Sequence, residues 1–176
     1  TEDDNNTLAL ATSYTDTAGN AGASATTANY EVETLAPTVN SFTLNDTALK
    51  VGDNATVTLV FSEAVASFSS AADITVANGT LATMTSSDNI TWTGTFTPTA
   101  DIEDDNNTLA LATSYTDTAA NTGPAVTTAN YTIETLAPSV SSFTLSDTVL
   151  KVGDNATVKL VFSEVVTSFS SSADIT

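Results

Sequence analysis

Cysteine and histidine are both missing from this chain of 176 residues. Without cysteine no disulfide staples the fold and no thiolate binds a metal. Without histidine the commonest general base and the commonest zinc ligand are gone. Cationic side chains are scarce as well: Lys+Arg 3 against Asp+Glu 21, a formal net charge of −18. Nucleic acid and anionic membrane surfaces both need Lys and Arg to neutralise phosphate, so neither is an expected partner. No apolar run approaches membrane-spanning length, which argues against membrane insertion. No stretch shows a helical period.

What is present is repetition. Residues 2–18 recur letter for letter as residues 103–119, and the offset of 101 holds without a gap to Thr75 and Thr176. Fifteen substitutions separate those two copies. The chain is therefore read as one unit of about a hundred residues in tandem array. Residues 1–33 are the C-terminal part of one repeat, 34–134 a complete repeat, and 135–176 the N-terminal part of the next. A unit of that size can bury its own apolar core.

Within the complete unit, Val39 to Leu44 and Ala55 to Phe61 alternate apolar and polar residues, as half-buried strands do. Ile90, Trp92 and Phe96 are expected on the core face of a threonine-rich strand that Pro98 ends. Asn78-Gly79 predicts a hairpin turn. About seven short β-branched strands with regular turn signals predict an all-β, antiparallel sandwich with the acids placed in loops.

One acidic cluster stands out: Asp101, Glu103, Asp104 and Asp105 with Asn106 and Asn107; its earlier copy supplies Asp3 and Asp4 as candidate ligands. Several carboxylates and amide carbonyls in one segment suit a hard cation of the calcium type. The plainer reading is a solvated acidic loop, since EF-hand spacing is absent. Paired carboxylates also run glycoside hydrolysis, but that needs a cleft and one carboxyl of raised pKa, which a small threonine-rich sandwich does not suggest. The chain is not expected to be an enzyme.

FSEAV at 61–65, YTDTAGN at 14–20 and TLAP at 34–37 together resemble the Ig-like repeats of large bacterial surface adhesins. The resemblance implies tandem Ig-like sandwich modules, an extracellular or cell-surface location, and calcium that stiffens module junctions. It also implies a junction site of Asp117, Asn121 and Glu134, with the earlier copy Asp16, Asn20 and Glu33. Glu63, Asp73 or Asp46 of an adjacent module would complete the shell. On residues alone, Asp117 instead caps a turn with its own backbone. Where the first copy has Gly19 the second has Ala120, a change expected to disturb that turn.

The resulting expectation is a non-catalytic extender module, rigidified by calcium, whose partners are neighbouring identical repeats head-to-tail. Two alternatives remain at this level. In one, the terminal partial repeats pair between copies of the same chain and build a filament; in the other, loops bind glycan or another surface.

Overall fold

In the computed structural model, residues 2–176 are described. Strands dominate. The first partial repeat holds β1 (Asp3–Asn6), β2 (Ala9–Leu10), β3 (Ala25–Thr26) and β4 (Tyr30–Val32). The complete repeat holds β5 (Val39–Leu44), β6 (Ala48–Lys50), β7 (Ala55–Phe61), the single-turn helix α1 (Ser70–Asp73) and β8 (Ile74–Val76). It continues through β9 (Gly79–Leu81), β10 (Thr91–Pro98), β11 (Glu103–Asn107), β12 (Leu109–Leu111), β13 (Val126–Thr127) and β14 (Tyr131–Glu134). The last partial repeat holds β15 (Val140–Leu145), β16 (Val158–Phe162) and the helical turn α2 (Ser171–Asp174).

The complete repeat is a two-layer sandwich. One layer is the sheet β5-β7-β10-β9. In the other, β11 runs on into β12 and β13 into β14, and these two paths pair antiparallel with each other. β6 flanks this ribbon on the β14 side and β8 on the β12 side. Strict alternation along β7 turns Val57, Leu59 and Phe61 into the interlayer space, where all three are fully buried. From the facing layer come Leu49, Leu109, Leu111, Tyr115, Tyr131 and Ile133. Each such side chain removed from water contributes about 1.5–3 kcal/mol before the entropy of ordering is subtracted. Phe61 tilts against Tyr115 with ring centroids 4.9 Å apart, and Phe96 meets Tyr131 edge-on at 5.3 Å.

Four expectations need correction. β6 pairs with β14 in parallel, so the sandwich is not wholly antiparallel. After β5, the Asn45-Asp46-Thr47 turn carries the chain to the second layer, where the Thr47 carbonyl accepts the Thr132 N–H at 2.9 Å. Asn78-Gly79 is not a hairpin, because β8 pairs with β12 while β9 pairs with β10. The dipeptide switches layers instead, with Asn78 at φ 53. Trp92 is only partly buried, covering the core edge against Phe68. The acidic cluster is not a loop, since residues 103–107 form β11.

Candidate metal-binding junction

The acidic segment becomes a strand because its amide groups serve the backbone. Asn107 is fully buried. Its side-chain amide donates to the carbonyls of Asp104 (2.8 Å) and Tyr131 (3.3 Å). Its own N–H donates to Asn130 Oδ1 at 2.8 Å, bridging a register shift between β11 and β14. Asn78 Nδ2 donates to both Asn107 Oδ1 (2.9 Å) and Asp104 Oδ2 (2.7 Å). Asp104 Oδ1 accepts the Asn106 N–H at 2.9 Å. Both oxygens of Asp104 and the side chain of Asn107 are thus occupied in holding a bulge. Asp105 is exposed and its carbonyl accepts from Asn130. Asp101 lies in an exposed turn at φ 58. Glu103 faces Glu134 across the β11–β14 pair. The earlier copy repeats the pattern: Asp3 accepts from the Asn5 N–H at 3.0 Å, and the Asp4 carbonyl accepts from Asn29.

Asp117 and Asn121 do come together, as a turn. Asp117 Oδ1 accepts the N–H groups of Ala119 (2.8 Å) and Asn121 (2.9 Å), and Oδ2 accepts Asn121 Nδ2 at 2.8 Å. Asp16 and Asn20 reproduce it, with N–H bonds to Oδ1 of 2.9 Å and an amide bond to Oδ2 of 2.8 Å. Burial pushes the Asp117 carboxyl up, but the hydrogen bonds from Asn121, Ala119 and Ala120 together outweigh it and hold the group below its ordinary range. The Gly19-to-Ala120 change leaves the turn intact, Ala120 taking φ 69 where Gly19 has φ 88.

Glu134 does not join that turn. β7 runs from Ala55 to Phe61, and Asp117 bridges to Val65 just beyond its Phe61 end. Glu134 pairs with Lys50 and precedes Thr135, whose N–H donates to the Ile102 carbonyl at 2.7 Å beyond the opposite end. A strand of seven residues puts roughly 20 Å between those ends. The glutamate that reaches the Asp117 end is Glu33, from the preceding repeat. Carboxylate oxygens of Glu2, Glu33 and Glu63 all lie within 4.8 Å of one another. Burial first, then the charges of Glu33, Asp117 and Glu2, raise the Glu63 carboxyl above its ordinary range. Glu33 also accepts the Leu35 N–H at 2.9 Å, which fixes the linker.

Of the acids expected to complete a shell, only Glu63 is at this junction. Asp73 is buried, accepting from the Ser69 N–H at 2.7 Å and from Ser114. Asp46 accepts the Ala48 N–H at 3.0 Å in the β5–β6 turn. The sequence reading missed Glu2. Reading β1 and β4 as paired strands would have placed it opposite Glu33, as Glu103 stands opposite Glu134.

Three carboxylates from two repeats form an oxygen-only set suited to a hard divalent ion and poorly suited to a soft one. No helix among the described residues is long and apolar enough to cross a membrane. A family model described as a bacterial Ig-like domain matches residues 33–133. No curated protein and no solved structure matches the chain. The matched segment spans more than half of the chain and coincides with the two-layer sandwich, so the protein belongs to the bacterial Ig-like domain family.

Proposed function

We propose that this chain is a non-catalytic spacer from a long extracellular bacterial surface protein of the adhesin type, and that calcium bound between repeats stiffens it. The observation that carries this reading is the meeting of Glu33, from the end of one repeat, with Glu63 inside the next, joined by Glu2. Like charges at this spacing repel, and a divalent cation held by all three turns repulsion into a tie between modules. Asp117 adds negative field, although both its oxygens already serve the turn. Near-identical repeats suit reach and spacing better than selective recognition.

An ion that binds only the docked pair stabilises it by mass action. Thermal unfolding is the test: calcium at millimolar concentration raises Tm, and Glu33→Gln with Glu63→Gln removes most of that rise. A Tm indifferent to calcium overturns the metal part of the reading.

A further inference from the structure

Asn78-Gly79 is the only Asn-Gly pair of the chain, and a different demand of the fold holds each residue there. Asn78 sits where the chain passes from one layer to the other, at φ 53, a backbone region that asparagine tolerates better than most residues. Its side-chain amide uses both hydrogens on the second layer, donating to Asp104 Oδ2 (2.7 Å) and Asn107 Oδ1 (2.9 Å). Its carbonyl accepts the Thr99 N–H at 2.9 Å, just past β10 of the first layer. Gly79 is required by close approach: a Cβ there would run into the Phe96 ring and stand 2.8 Å from the Thr97 carbonyl oxygen. The layer switch thus selects the dipeptide that is chemically least durable. With no Cβ to shield it, a glycine nitrogen attacks the side chain of a preceding asparagine more readily than that of any bulkier residue.

We propose that Asn78 is a deamidation site which the folded repeat protects and an opened repeat exposes, so that prolonged unfolding becomes covalent and hard to reverse. In the reaction the Gly79 nitrogen loses its proton to solvent and bonds to Asn78 Cγ. The Cγ–Nδ2 bond breaks and ammonia leaves. Water then opens the cyclic imide at either carbonyl, giving aspartate or isoaspartate, and no other reactant is consumed. The folded repeat opposes the first step, because Gly79 is paired with Pro98 beneath the Phe96 ring and Asn78 is anchored to both layers. After the reaction the loss falls on refolding. Aspartate at position 78 sets a carboxylate against the Asp104 carboxylate and Asn107 Oδ1, three oxygens with no hydrogen between them at neutral pH. Isoaspartate adds a backbone carbon where β8 hands over to β9, between strands that pair in different sheets.

Peptide mapping by mass spectrometry tests the idea on the full chain, incubated at one temperature and one mildly alkaline pH with and without enough guanidinium chloride to unfold it. Asn78 is expected to deamidate at least about a hundredfold more slowly in the folded chain, because the reaction there waits on opening of the sandwich. Rates that agree within a few-fold in the two states overturn the proposal. The consequence for refolding is tested by variants. Asn78→Asp is expected to lower the denaturant midpoint of the complete repeat or to leave it unfolded. Asn78→Asp combined with Asp104→Asn returns a side-chain donor between the two positions and is expected to recover part of that loss. A single variant as stable as the unmodified chain, or a double variant no more stable than the single one, overturns the assigned consequence and with it the irreversibility.

Discussion

Glu33 and Glu63 belong to successive repeats, yet a carboxylate oxygen of each lies within 4.8 Å of the other. The chain therefore concentrates its charge where two modules meet. Four residues, 34–37, separate Glu33 from Thr38, and Ser62 ties the entering chain through the Thr38 carbonyl at 2.9 Å. The linker is short enough that the two carboxylates cannot avoid each other without bending the junction.

The pH dependence of the metal-free chain follows from Glu63. Its folded-state pKa is raised, by burial and then by Glu33, Asp117 and Glu2, so the folded chain binds more protons than the unfolded one across the interval between the two pKa values. Stability from this group is lost as pH rises through that interval and regained as pH falls through it. Glu63→Gln is expected to raise Tm at neutral pH without calcium and to flatten this part of the pH profile. Melting curves of both proteins from neutral pH down into the carboxylate range measure it.

Ala120 holds a left-handed conformation at φ 69 that Gly19 adopts freely in the first copy at φ 88. An L-residue there costs about 1–2 kcal/mol, part of which is returned because alanine narrows the unfolded ensemble. Ala120→Gly is expected to stabilise the complete repeat by about 0.5–1 kcal/mol, read from denaturant unfolding. The reverse change, Gly19→Ala, should leave that transition unmoved.

Asn107 is expected to be structural and not a ligand. Asn107→Ala removes one of the two acceptors of the Asn78 amide and the side-chain donor to the carbonyls of Asp104 and Tyr131, and should cost about 2–3 kcal/mol. Its calcium response, taken as the Tm rise on adding the ion, should match that of the unmodified chain. Asn6, half-buried where Asn107 is buried, should tolerate the same change better.

The Tyr131 hydroxyl is buried with no hydrogen-bond partner, and burial, followed by the charge of Asp104, pushes its pKa up to about 12. Leaving such a group unpaired costs about 1–3 kcal/mol. Tyr131→Phe keeps the edge-on contact with Phe96 and is expected to raise stability by about 1 kcal/mol in denaturant unfolding.

Strands such as β7 and β10 were legible because alternation is a local property: Val57, Leu59 and Phe61 had only one face to bury. The Asp117–Asn121 turn was legible for the same reason, its partners lying two and four residues on. The fate of the acidic cluster was not. Whether residues 103–107 form a loop or a strand depends on Asn78 and Asn130, which are more than twenty residues away in each direction. The junction was half legible. Glu33 and Glu63 could be named as acids of adjacent modules, but Glu134 was grouped with Asp117 because local sequence does not say at which end of a sandwich a strand finishes. Glu2 was hidden by the same ignorance of which strands pair.

Calcium binding to the junction is tested most directly by isothermal titration of the full chain beside the Glu33→Gln/Glu63→Gln double variant. The unmodified chain is expected to bind one more calcium ion per molecule than the double variant, with both folded at the start of the titration. Identical stoichiometry and heat for the two proteins would contradict the account.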